Sequence, residues 1–376
     1  MGITCLSKKI NVALKNVHIS EFKNKKIAID VSIYMYSFLR QPQDNSLLKG
    51  FIKQIKYLRS NQITPVYIFD GVPLKEKLVI EKRRNEKQNN KEKIRILDEK
   101  IKKDMLAFNE LSVADGENTD ADVQITLTPS NIDDIHNIVL NSNSSKKEEI
   151  LETVCTIREN CEQLKKSKLA NLYPTKTDVA KLKKLFTIYG VPFFQADTEA
   201  DVLCAQMCKT GLVDGVISCD TDFLVYGCPF LITNISNVTG ICKVYYLEEV
   251  LSTLGLQMSQ FIDMCILCGC DYSSKISKVA VFTAYNFIVK HKTIENVIEY
   301  INSDEKLKTK FQYSENFLDQ VNTARSLFNL THELIAPSDK ELTVNLKQID
   351  KAALRAFLDE NKCTQVNKNV CRIILS

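Results

Sequence analysis

No apolar run in this 376-residue chain approaches the ~18 to 20 residues that cross a bilayer, so a membrane-spanning protein is not expected. The start, MGITCLSKKINVALKN, carries no secretory apolar core, and Leu6 stands where a myristoylation signal needs Ser or Thr. Neither export nor a lipid anchor is expected. Histidine is scarce: His18, His136, His291 and His332 show no metal-ligand spacing. Internal repeats and extended low-complexity tracts are missing, which excludes a repeat array. Charge bias is missing too, since 50 Lys and Arg against 46 Asp and Glu leave a net +4 and no whole-chain signature of nucleic-acid binding. What is present is globular: 44% hydrophobic and 26% charged residues, enough for one large α/β domain or two ordinary ones. Thirteen cysteines, an odd count without a secretory start, point to a reducing intracellular compartment rather than a disulfide framework.

Short apolar runs alternate with amphipathic stretches in the first third, as in an α/β layer. KKIAID (25 to 30) and PVYIFD (65 to 70) read as strands, each ending on an aspartate, and the 3.6-residue period of Ser46 to Arg59 predicts a helix crossing between them. Lys75 to Lys103 follows as a long helical pattern with twelve Lys or Arg against six acids, a local +6. Met105 to Ser145 then has no Lys or Arg and seven acids, a local −7, and reads as a mobile insertion. Helical periodicity resumes at about Lys147 and runs, interrupted near Pro174, to Tyr189. GVISCD (215 to 220) is a third strand ending on aspartate, and Ala196 to Cys208 predicts a helix capped by Asp197 or Thr198. A further strand is predicted at 241 to 247 and a helix at Ser259 to Cys268, stopping at Gly269; Phe282 to Tyr300 and Lys351 to Glu360 read as helical.

Ligands of open α/β sheets sit beyond the carboxyl ends of the strands, so acids that end several strands meet in one crevice. Asp30, Asp70, Asp220 and Asp222 come from such ends, Glu199 and Asp201 from a helix start, and Asp271 from the turn after Gly269. Several carboxylates gathered in a partly dry cleft repel one another by several kcal/mol per close pair unless cations intervene. Oxygen donors without nearby histidine suit Mg²⁺ or Mn²⁺ rather than Zn²⁺. Each piece alone has a plain alternative: Asp220-Thr-Asp222 as a solvated loop, Asp70-Gly71 as a turn. The joint pattern favours a metal site. Cys265, Cys268 and Cys270 lack a second pair for zinc and read as core packing.

These residues resemble the flap endonuclease family of structure-specific 5′ nucleases, with its XPG-type and exonuclease-type relatives. The resemblance runs in order through MGI, IAIDVSIYMYSFL (27 to 39), IFDG (68 to 71), EKRR (81 to 84), YGVPFFQADTEAD (189 to 201), SCDTDFLVYG (218 to 227), LCGCDY (267 to 272) and VKHKTIENVI (289 to 298). It implies a PIN-like 5′-nuclease fold: a central mixed, largely parallel sheet flanked by helices, a helical arch from about Lys75 to Lys103 and Lys147 to Lys168, and a helical DNA-binding C-terminal region. The corresponding divisions are 1–104, a nuclease region with the basic arch helix; 105–146, an acidic insertion; 147–272, the arch return and internal nuclease region; and 273–376, the DNA-binding turn and C-terminal helices.

Carried over by motif, the resemblance implies two Mg²⁺ ions, with Mn²⁺ as substitute, held directly or through water by Asp30, Asp70, Glu199, Asp201, Asp220, Asp222 and Asp271. It implies that Lys77 and Arg84, seven and fourteen residues after Asp70, grip the scissile phosphate; Lys75, Lys82 and Arg83 are register alternatives, and a solvated helix is the plain reading. Gly2 would lie beside the scissile region, and Tyr36 would stack on a base or else pack as a core tyrosine. The expected substrate is branched or 5′-ended DNA cut near a junction, in replication, repair or recombination, by a monomer.

The pattern also breaks. Lys278 and Ala280 stand where the family's DNA-binding turn has glycines that approach a potassium ion, so left-handed backbone is expected to be lost and Lys275 and Lys278 to meet phosphate instead. Gln43 stands where an arginine is expected, with Arg40 nearby. The ending RIILS lacks the glutamine-aromatic tail that docks on the sliding clamp, so clamp coupling is not expected. Such losses fit a diverged or viral branch, placing the chain in the nucleus, or in the cytoplasm if viral. Two rivals stand: an inactive nucleic-acid-binding or scaffold protein of the same fold, and an unrelated D-x-D enzyme such as a sugar-nucleotide transferase.

Overall fold

The computed structural model describes residues 3, 5–41, 45–72, 80–114, 127–128, 131–140, 147–330 and 349–363. In chain order its elements are α1 (Leu6–Ile10), β1 (Lys15–His18), β2 (Lys26–Asp30), α2 (Val31–Leu39), α3 (Ser46–Ser60), β3 (Thr64–Phe69), α4 (Ile80–Ala114), α5 (Ile132–Leu140), α6 (Lys147–Ala170) and α7 (Lys176–Tyr189). Then come β4 (Phe193–Gln195), α8 (Ala200–Lys209), β5 (Gly215–Ile217), α9 (Asp222–Val225), β6 (Phe230–Ile235), β7 (Ile241–Tyr246), α10 (Leu247–Leu254) and α11 (Met258–Cys268). The last helices are α12 (Val281–His291), α13 (Ile294–Asn302), α14 (Glu305–Lys310), α15 (Phe317–Phe328) and α16 (Lys351–Glu360). No single described helix is long and apolar enough to cross a membrane.

Residues 1–39, 43–79 and 174–376 make one compact unit, and 40–42 with 80–173 a second. The first unit holds a seven-stranded sheet in the order β1-β7-β6-β5-β2-β3-β4. β6, β5, β2, β3 and β4 pair in parallel, while β7 pairs antiparallel with both β6 and β1, so the expected mixed, largely parallel sheet is what forms. Alternation along each strand separates two apolar layers. Ala28, Val66, Ile68, Val216 and Leu231 face one core; Ile27, Ile29, Tyr67, Phe69, Ile217 and Ile232 face the other. The first layer is covered by α8, α11, α12, α13 and α15, the second by α3, α7 and α16. In the second, Phe186 stacks on Tyr67 at 4.3 Å, and Phe51 meets both rings edge-on.

β2 is central, with β3 on one side and β5 on the other, so the chain reverses its direction of travel across the sheet there. This is where an open parallel sheet leaves a crevice beyond its strand ends.

The second unit comprises α4, α5 and α6, which share a small core of Ile101, Met105, Phe108, Leu127, Ile132, Ile135, Val154 and Ile157. Asp98 accepts from Lys102 and Lys168 at 2.8 and 2.9 Å, and Arg158 reaches Asp133 at 2.9 Å. The helix expected to stop near residue 104 continues to Ala114, and Ile132–Leu140 is helical within the acidic stretch. This part of the stretch expected to be a mobile insertion is thus ordered into a helix, because Ile132 and Ile135 share a core with Val154 and Ile157 of α6.

Two expected helices differ. The continuous helix over Phe282 to Tyr300 breaks at Lys292, whose φ is +72, because Thr293 caps a new helix by accepting from the Asn296 amide at 3.3 Å. The helix expected from Ala196 with Asp197 or Thr198 as cap starts at Ala200; the Ala196 amide is committed to the Phe69 carbonyl at 2.9 Å, extending the sheet.

Candidate active site

Asp30 ends β2 and stands immediately before the apolar α2, the position of an N-cap. Its Oδ1 accepts from the Ser32 amide at 2.8 Å. Asp70 follows β3 by one residue. The Ser32 hydroxyl donates to its Oδ2, and the Ala200 amide, at the start of α8, donates to its Oδ1 at 2.9 Å. A carboxylate from one strand thus serves as the cap that α8 does not find in its own preceding residues.

Beyond β5, the Asp220 amide donates to Ser218 Oγ at 3.0 Å, and Asp220 Oδ1 accepts from the Asp222 amide at 3.1 Å. Asp222 Oδ1 in turn accepts from the Ile3 amide at 2.6 Å, tying the start of the chain to the site. Asp30, Glu199, Asp220 and Asp222 are buried, Asp201 and Asp271 half-buried, and Asp70 exposed.

Their charges are mutually felt. Burial first, then the Asp70 carboxylate and Asp220, push the Asp30 carboxyl up to about 8, against amide hydrogen bonds from Ser32 and Ile33. The buried Cys204 thiol is raised by burial and then by Asp30, Asp201 and Asp70, and the Tyr226 hydroxyl by burial, Tyr272, Asp201 and Asp222. The strand-end acids and the acids of α8 therefore surround shared neighbours.

Asp271 follows Gly269, which ends α11 at φ +95 and leaves room for the aliphatic stem of Lys275; a Cβ there would overlap it. Next to Asp271, Tyr272 donates to Glu199 Oε2 at 3.2 Å. The donor set is all oxygen, hard and anionic, which fits a divalent ion of the Mg²⁺ type. Among the described residues no group of three or more His, Cys, Asp or Glu side chains is arranged, as it stands, to hold an ion. Here Asp70 and Asp222 spend oxygens on backbone amides instead.

Other expected site residues lie elsewhere. Gly2 and Lys77 fall outside the described residues, as do the side chains of Arg83 and Arg84, whose backbone is in α4. Tyr36 is half-buried on α2. Lys275 and Lys278 are exposed in the turn between α11 and α12. One expectation is corrected: left-handed backbone is not lost with the glycine, because Lys278 itself adopts φ +61. That conformation costs a non-glycine residue about 1–2 kcal/mol. Buried Ile276 and Val279, the Ser277 amide on Gln312 O at 2.8 Å and the Ser274 amide on Gln320 Oε1 at 2.7 Å hold the turn in place.

Sequence reasoning missed Ser32, Gln195, Tyr226 and Tyr272. Ser32 had a signal, because an aspartate before an apolar helix is a cap that takes an amide two residues on. Gln195 donates to the Asp70 carbonyl and Tyr272 reaches Glu199 across 73 residues of sequence, contacts that no local pattern encodes.

A family model described as the XPG N-terminal domain matches residues 1–91, and one described as the XPG I-region matches 190–271. All seven acids fall inside these two segments. Probable RAD2-like endonuclease 369L of Invertebrate iridescent virus 6 is 30% identical over 333 residues, covering 82% of this chain and 76% of the viral protein. Flap endonuclease 1 of Encephalitozoon cuniculi (strain GB-M1) is 26% identical over 397 residues, covering 100% of this chain and 95% of the relative. The solved catalytic core of Rad2 in complex with DNA substrate is similar with a TM-score of 0.58 at 19% identity, covering 96% of this chain and 95% of that one. Flap endonuclease-1 from Methanococcus jannaschii gives 0.56 at 19% identity, covering 96% and 94%. At such identities the two structures establish the fold alone.

Proposed function

The chain belongs to the XPG-type flap endonuclease family, and from that premise we propose that it is a structure-specific 5′ nuclease hydrolysing DNA phosphodiesters near single-strand/double-strand junctions. The observation that carries this reading is the convergence of strand-end acids on Asp30, whose carboxyl is destabilised as an anion by burial first and then by Asp70 and Asp220. A site with no task for a cation has no physical reason to keep these charges together, which disfavours the inactive scaffold.

Asp30, Asp70, Glu199, Asp201, Asp220, Asp222 and Asp271 would hold two divalent ions, Mg²⁺ or Mn²⁺. Held there, such ions would supply activation of water and stabilisation of charge on phosphodiester oxygens, and no covalent nucleophile would be needed. The chain's own residues do the rest. Ser32 and the α8 amide at Ala200 orient Asp70, and the Ile3 amide orients Asp222. Lys77 and Arg84, with Arg83 as alternative, are proposed to hold the scissile phosphate, where a guanidinium can meet two oxygens at once. Gly2 and Tyr36 are proposed to lie beside the cut site, and Lys275 and Lys278 to bind duplex phosphate. We place the protein, as a monomer, in a reducing compartment; every described cysteine is a free thiol.

Asp70→Ala and Asp220→Ala are each expected to abolish cleavage of a flap substrate in Mg²⁺ while leaving DNA binding within a few-fold. Full activity in both variants would remove the acid site from the reaction.

A further inference from the structure

Behind Glu199 lies a chain of two phenols that the acid motifs do not predict. Tyr272 OH donates to Glu199 Oε2 at 3.2 Å, and Tyr226 OH lies 2.7 Å from Tyr272 OH. Each phenol has one proton. Because the proton of Tyr272 is committed to a carboxylate oxygen, which cannot donate, the proton between the two phenols belongs to Tyr226. The direction is therefore fixed: Tyr226 to Tyr272 to Glu199.

The rings are as constrained as the bonds. Tyr226 is 2% and Tyr272 4% exposed, and Phe328 of α15 meets both edge-on, with centroids at 5.1 and 5.6 Å.

We propose that Tyr272 is a positioning residue that fixes the Glu199 carboxylate for divalent-cation binding, and that Tyr226 acts through it. The inference rests on the metal-site reading of the seven acids. A donor on one carboxylate oxygen sets the rotation of the group and hence where its other oxygen points, the role outer-shell hydrogen bonds play at metal sites. Through Phe328, the C-terminal helices support a ligand about 130 residues earlier in the chain.

The test is Mn²⁺ binding to the whole 376-residue chain without DNA, followed by the electron paramagnetic resonance signal of free Mn²⁺. Tyr272→Phe is expected to weaken binding about tenfold, and Tyr226→Phe by less. The double variant should bind as Tyr272→Phe alone does, because a residue acting only through another adds nothing once that other is gone. It should also melt higher than Tyr272→Phe, in which the Tyr226 hydroxyl is left buried without an acceptor. Asp220→Asn serves as reference and should bind Mn²⁺ poorly. Wild-type affinity in Tyr272→Phe with Asp220→Asn impaired overturns the positioning role and leaves the metal site standing. Wild-type affinity in Asp220→Asn as well overturns both. If Tyr272→Phe does not fold, Tyr226→Phe carries the test, and wild-type affinity there overturns the proposal.

Discussion

Gly71 shows how closely the residues around Asp70 are fitted. Its amide donates to Thr198 O at 2.5 Å, and a Cβ at this position would overlap the carbonyl oxygens of Ala196 and Asp197, backbone that cannot step aside as a side chain can. Gly71→Ala is expected to cost about 1–3 kcal/mol in urea denaturation and to lower cleavage, since Asp70 moves with its neighbour; unchanged stability would mean the two segments separate easily. At Lys278 the opposite holds. A lysine sits in left-handed backbone where glycine would be at ease, so Lys278→Gly should leave stability within about 1 kcal/mol, relief of strain offsetting lost chain stiffness. If Lys278 meets a phosphate, the same variant makes the fall of log affinity with log salt shallower by about one unit; an unchanged slope removes Lys278 from the interface. The positions of the acids were legible because six lie at strand ends or a helix start and Asp271 lies in the turn after Gly269. Their donors were missed: Ser32, two residues from Asp30, left a local capping signal, whereas Tyr272 and Ile3 are supplied by the fold from afar and left none.

Among the elements, β2, β3 and β5 follow from short apolar runs, buried along nearly their whole length, and α3 and α16 from helical spacing of apolar residues, each buried on one face. The start of α8 did not, because its cap is Asp70 from another strand end, and the break between α12 and α13 joins a local Thr293 cap to a distant acceptor, Asp263. The helices behind the site are joined by Arg325 of α15. It donates to both oxygens of buried Asp263 on α11 at 2.7 Å each, and to Glu295 on α13 at 2.6 and 3.1 Å. Asp263 also accepts from the Ile294 amide at 3.2 Å, closing the N-terminus of α13. The hydrogen bond from Arg325 holds the Glu295 carboxyl below its ordinary value of 4.5. A group whose folded-state value is lowered contributes stability above its unfolded value and loses it as pH falls through the folded one. Glu295→Gln should therefore lower the melting temperature at neutral pH, where the contribution is present, and flatten its fall below about pH 4.5; an unaltered acid limb would mean the pair is screened by water.

For the whole molecule, the net charge of +4 conceals structure. The +6 run from Lys75 to Lys103 and the −7 run from Met105 to Ser145 lie close together in sequence, and most of both belongs to the helical second unit, while the carboxylates of the crevice belong to the sheet unit. Such a division suits a polyanionic substrate only if cations neutralise the crevice, because unscreened acids repel phosphate. The most direct measurement is cleavage of end-labelled flap, nicked, gapped and blunt DNA by the purified chain in Mg²⁺ and in a chelator. The account predicts Mg²⁺-dependent cuts near the junction of the flap, or at 5′ ends, and none in the chelator. DNA binding with no Mg²⁺-dependent cleavage of any of the four would contradict it.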